Sequence, residues 1–165
     1  MKQGLNYEEQ VEVFNGLIEL DSQLSTLISS KEKRDLLKDA DVNGIFGTIA
    51  KNIRRLKASI KETDELRKEL HEKFCEKDGK GEPVQHKKNR KDDKGNSEDY
   101  FQAEITDPAK AGLFEKELRD LLKKKEEVDL HTLSFTKVNK LEINGRTIAM
   151  LMDTVLVDET ETKNE

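Results

Sequence analysis

The stretch that decides the fold is VNGIFGTIAKNIRRLKASIKETDELRKELHEKF, residues 42–74. Within it apolar residues recur at alternating steps of four and three: Val42, Phe46, Ile49, Ile53, Leu56, Ile60, Leu70 and Phe74, with only Thr63 and Arg67 interrupting the set. That spacing keeps side chains on one face of an α-helix. It predicts a helix from about Asp41 to Lys77, roughly 50 Å long by the helical rise, with a seam that lies against other helices. Gly44 and Gly47 each weaken its first turns by about 1 kcal/mol relative to alanine. Asp78-Gly79 is the expected stop, with Gly79 free to take a positive φ.

Upstream, Asn6 followed three residues later by Glu9 reads as a capping box. The helix it opens carries Val13, Leu17, Leu20, Leu24 and Leu27 in one stripe. Phe14, Ile18 and Ile28 widen that stripe enough to meet more than one neighbour. Ser29 and Ser30 end it, and residues 31–40 form a charged connector anchored by Leu36 and Leu37.

Downstream, the composition changes abruptly. Residues 78–99, DGKGEPVQHKKNRKDDKGNSED, have almost no apolar member and nearly balanced charge, which predicts a mobile polar arm. The flanking segments 82–85 and 100–105 read as short strands of a hairpin with a long polar tip. Asp107-Pro108 places a capping aspartate before a proline at the first helical position. Ala111, Phe114, Leu118 and Leu121, with Leu113 and Leu122 alongside, then predict a third helix closed by Lys123, Lys124 and Lys125. Val128, Leu130, Leu133 and Phe135 alternate with polar residues as in a strand. Asn144-Gly145 marks a turn before a short helix carrying Ile148, Leu151, Met152 and Val155.

The expected class is α+β, mainly α: a long antiparallel helical hairpin, a third helix packed across it, and a small sheet joining the arm to the strand near Val128. One domain spans residues 1–157, with the arm at 78–99 inserted, and an acidic tail follows at 158–165. The 165 residues are 33% hydrophobic and 39% charged, enough for one modest core. A single cysteine, Cys75, excludes an internal disulfide and a thiolate metal cluster, and suits a reducing, intracellular origin. Residues 1–7 lack the apolar core of a signal peptide. The longest apolar run, 148–152, is too short for a bilayer. A soluble protein is expected.

Motifs of chemistry are absent. His71 and Cys75 stand one helical turn apart, but two ligands do not make a structural zinc site. His86 and His131 are isolated, and the many carboxylates of residues 61–73 interleave with lysine and arginine as on a solvated helix face. There is no phosphate-cradling glycine loop, nucleophile elbow or HExxH pair. The expectation is a protein without catalytic activity, cofactor or metal.

What remains is surface. The seam weakens at Thr63 and Arg67, and the helix outruns its partners toward Leu66, Leu70 and Phe74, so this end is expected to meet another chain. The arm residues His86, Lys87, Lys88, Arg90 and Lys91 are the companion contact. A second basic group, Lys51, Arg54, Arg55, Lys57 and Lys61, is a candidate for phosphate or acidic-surface contact, despite a total charge of −5. The arm carries no aromatic residue for base stacking and runs straight into Asp92 and Asp93, so an acidic protein surface is favoured over nucleic acid.

The order of KDGKGEPV (77–84), YFQAEITDP (100–108), FEKELRDLL (114–122) and EEVDLHTLSF (126–135) after a long charged helix resembles small uncharacterised proteins of tailed bacteriophages and prophages. The likeness is one of layout over about residues 62–135 and carries no functional residue with it. It implies a phage-encoded structural or assembly protein, located in the virion or the host cytoplasm, whose partners are other subunits of a large or oligomeric assembly. The alternatives it leaves are an inhibitor of a host nucleic-acid enzyme or defence protein, and a nucleic-acid-binding accessory protein.

Overall fold

The structure is a computed structural model that describes residues 2–30, 41–91 and 97–158. The connector at 31–40, the hairpin tip at 92–96 and the tail beyond Asp158 lie outside the described residues. The chain is mainly helical α+β, with its two long helices forming the helical hairpin. In order the elements are β1 (Lys2–Leu5), α1 (Tyr7–Ser29), α2 (Val42–Phe74), β2 (Gln85–Lys91), β3 (Ser97–Ala103), α3 (Pro108–Lys123), β4 (Glu126–Asp129), β5 (Leu133–Ser134), α4 (Phe135–Asn139), α5 (Gly145–Leu151) and β6 (Leu156–Val157). They form two compact units, one of Met1–Glu62 with Lys124–Glu165 and one of Thr63–Lys123, and α2 supplies residues to both.

The first unit holds the hydrophobic core. Its α1 begins as the local code requires. The Asn6 side chain accepts from the Glu9 N–H at 3.0 Å, and the Glu9 carboxylate accepts from the Asn6 N–H at 2.8 Å. All five residues of the leucine-rich stripe, Val13, Leu17, Leu20, Leu24 and Leu27, are buried. Ile18 and Ile28, which widen the stripe, stay exposed. The closest packing partner of α1 is α5, and the reason is Gly16. A Cβ placed there would stand 2.9 Å from the Met150 Cβ and 3.0 Å from Leu151. A hydrogen-bond relay ties the same two helices, since Gln23 Nε2 donates to Thr147 Oγ1 at 2.8 Å and Thr147 Oγ1 donates to Glu19 at 2.9 Å.

The buried line of α2 is rotated from the expected seam. Ile45, Ile49, Asn52, Leu56 and Thr63 face inward, while Phe46, Ile53 and Ile60 lie half-buried against the core. Asn52 is a polar residue in the middle of that line. Its amide donates to the His131 carbonyl at 2.8 Å and accepts from the His131 N–H at 2.8 Å, so both halves of the side chain are satisfied by one backbone unit. A reading that admits only apolar residues to a seam passes over it.

The sheets differ from expectation. The strand at Val128 does not join the arm. It pairs antiparallel with the N-terminal β1, Gln3 opposite Val128 and Leu5 opposite Glu126. The four residues of β1 are too few to show a period of two, which is why they carry no strand signal. Phe135 opens the short α4 instead of extending a strand, because the Ser134 side chain caps that helix at the Lys137 N–H. Val155 and Met152 fall after α5, where Leu156–Val157 forms β6, parallel to β5 with Leu133 opposite Leu156.

Candidate docking surface

The second unit, Thr63–Lys123, contains the end of α2, the β2–β3 hairpin and α3. Its helix stop is a compact turn in which one Asp78 carboxylate oxygen accepts from the N–H groups of Lys80 and Glu82, at 2.8 and 2.9 Å. Gly81, with φ +85°, takes the left-handed conformation expected of Gly79. Glu76 then joins the base of the hairpin, its N–H donating to the Glu104 carbonyl and its own carbonyl accepting from Val84, each at 2.8 Å.

The hairpin exists, with residues 100–103 falling where the sequence predicts a strand, but the rest of both strands is the polar run itself. Residues 85–91 pair antiparallel with 97–103, Lys88 opposite Tyr100. No apolar alternation announces such strands. Charge across the ladder holds them together. Lys87 reaches Asp99 at 2.7 Å, Asn89 donates to Asp99 at 2.9 Å, and Lys88 pairs with Glu104. The Lys87 and Asn89 bonds hold the Asp99 carboxyl below its ordinary value. The Lys88 hydrogen bond does the same for Glu104, and Glu104 in turn raises Lys88. His86 lies 3.1 Å from Glu76, and the Arg90 guanidinium sits 5.7 Å from the centre of the Tyr100 ring. Lys91 is exposed at the end of β2. Four of the five arm residues expected to meet a partner are therefore engaged within the chain.

The end of α2 does not outrun its own chain. Within this unit α3, capped by Asp107 at the Ala109 N–H (2.9 Å), packs against it. Phe114 meets Phe74 and His71 edge-on at 6.2 and 5.8 Å, and Glu117 pairs with Lys73 at 2.7 Å. Thr63 and Phe74 are 4% and 8% exposed, so neither presents a surface to another chain. Arg67 is half-buried and paired with Asp64 at 3.1 Å, Leu70 is half-buried, and Leu66 is exposed.

The unit keeps much of its apolar area in solvent. No residue of α3 is buried. Of the six large exposed hydrophobic residues of the described chain, four stand here: Leu66, Tyr100, Phe101 and Leu113, with Phe101 66% and Leu113 55% exposed. An open groove of about 610 Å³ is lined by Arg67, His71, Gln85, Phe101, Phe114 and Leu118. An apolar notch of about 350 Å³ lies between Leu66, Leu70 and Leu121, rimmed by Glu69, Lys73 and Glu117. Sequence reading placed Phe101 on a strand and Leu113 on a helix without singling out either as a contact. The available signal was that Leu113 falls off the Phe114–Leu118–Leu121 stripe.

The basic group of α2 belongs to the first unit. Lys51, Arg54, Lys57 and Lys61 are exposed. Arg55 turns inward to Asp129, contacting its carboxylate at 3.1 Å and its backbone carbonyl. Cys75 is buried with its thiol on the Glu72 carbonyl, and His71 is edge-on to Phe114. Among the described residues no group of three His, Cys, Asp or Glu side chains is placed to hold a metal ion. No helix among them is long and apolar enough to cross a membrane. No family model, curated protein or solved structure matches the chain.

Proposed function

We propose that this protein is a non-enzymatic assembly component that docks onto other protein subunits through its second unit, and that its setting is a tailed-phage particle or its assembly in the host cytoplasm. The observation that carries the docking reading is that four of the six exposed large hydrophobic residues of the described chain belong to Thr63–Lys123, Phe101 and Leu113 being the most exposed. Large apolar side chains left in solvent beside a groove rimmed by charge mark a protein contact, and aromatic side chains supply much of the energy at such contacts. The phage setting rests on the layout resemblance over residues 62–135.

Mass spectrometry of purified particles tests it. The expected result is the chain present at a fixed copy number, and lost from particles when it carries Phe101→Asp and Leu113→Asp, with its circular dichroism unchanged. Absence of the chain from both particles and assembly intermediates overturns the assembly reading. Co-purification of the chain with a single host nucleic-acid enzyme in place of particle proteins favours the inhibitor alternative.

A further inference from the structure

The structure sorts the basic residues into two kinds. Three of those in the hairpin are answered within the chain: Lys87 by Asp99, Lys88 by Glu104, His86 by Glu76. On α2, Arg55 is answered by Asp129. Lys51, Arg54 and Lys57 are exposed and make no ion pair among the described residues. Residues 42–61 of this helix contain no acid, the first being Glu62.

The rest of that face has a particular character. Asn43, Gly47, Ala50 and Ala58 fill the positions between the cations, and all are exposed. The face carries no large apolar residue, so it lacks the aromatic anchors from which a protein contact draws much of its energy. It offers charge, and a backbone that small residues leave open to close approach. From Lys51 to Lys57 the cations cover about 9 Å by the helical rise, the length of about three phosphates along one strand of a duplex. We propose that this face of α2 binds the phosphate backbone of a nucleic acid, independently of base sequence. The site lies in the first unit, whereas the proposed docking surface belongs to the second.

Fluorescence anisotropy of the full chain with a short labelled mixed-sequence duplex tests this. Three phosphate contacts predict a loss of affinity of about 40-fold between roughly 50 and 200 mM salt. Lys51→Glu, Arg54→Glu and Lys57→Glu together abolish binding, whereas Lys87→Ala with Lys88→Ala leaves it within about twofold. Should the charge-reversed chain fail to fold, Lys51→Gln, Arg54→Gln and Lys57→Gln must lower the affinity at least tenfold. No binding at the lower salt, or equal loss in the helix and hairpin variants, overturns the proposal. Polyglutamate competing as well as unlabelled duplex also overturns it, in favour of an acidic protein surface.

Discussion

Two glycines show how differently one residue type acts in this chain. At Gly16 a methyl group would stand 2.9 Å from the Met150 Cβ of α5, which is fixed to its backbone and cannot give without moving the helix. At Gly47, on the exposed side of α2, nothing lies within 4 Å. Gly16→Ala is expected to destabilise by about 1–3 kcal/mol through overpacking, outweighing the gain in helix propensity. Gly47→Ala is expected to stabilise by about 1 kcal/mol. Urea denaturation of the two variants should move in opposite directions. Asn52 makes a related point. Its two hydrogen bonds to His131 join α2 to the segment between β4 and β5. Asn52→Leu matches the size and the apolar character of the seam, yet leaves both groups of His131 without their partner. A loss of about 1–3 kcal/mol in the same measurement is the expected result. An unchanged midpoint would show that water replaces the amide without cost.

The hairpin is the element whose stability depends most on charge. Asp99 and Glu104 have carboxyls depressed below their ordinary values of 3.8 and 4.5 by Lys87, Asn89 and Lys88. A depressed acid contributes stability above its unfolded value and loses it as pH falls through the folded one. Lys88 is raised above 10.5 by Glu104, so its contribution is complete below 10.5 and lost as pH rises through the raised value. The cross-strand pairs therefore operate together from about pH 5 to pH 10. Below pH 4 the amide shifts of β2 and β3 should move toward random-coil values while those of α1 remain helical, as NMR titration can show. Because these pairs are exposed, added salt should weaken the hairpin at neutral pH as well. A hairpin insensitive to both acid and salt would locate its stability elsewhere, at the Glu76 clasp and the Asp78 turn.

For the whole molecule, the decisive fact is where the apolar area went. The core cluster, from Leu5 through Leu156, belongs entirely to the first unit, whereas the second buries Phe74 and Cys75 and leaves Leu66, Phe101 and Leu113 in solvent. Regions with few buried contacts open at lower free energy. Hydrogen exchange should accordingly be slowest in α1 around Leu17–Leu24 and markedly faster in α3 and the hairpin. Phe101→Asp and Leu113→Asp should change global stability by less than about 0.5 kcal/mol, as substitutions at exposed positions do, while removing the proposed docking function. Protection of α3 equal to that of α1 would contradict this division.

The sequence by itself determined the three long helices and the starts of α1 and α3. The capping box at Asn6, the stripe from Val13 to Leu27, the Asp107-Pro108 start and the long seam of α2 are local codes, written in residues three or four apart. Hydrogen bonds and periodicity act at that range, so these features are legible without the rest of the chain. Tertiary structure alone decided the partners. It set β1 against β4 across more than a hundred residues and placed Asn52 in the core on the backbone of His131. It also turned a polar run expected to be loop into paired strands, and with that pairing answered Lys87 and Lys88 of the arm, while Lys51 and Lys57 of α2 stay exposed. Burial and charge pairing depend on which distant residues arrive at the same place, and no window along the chain contains that information.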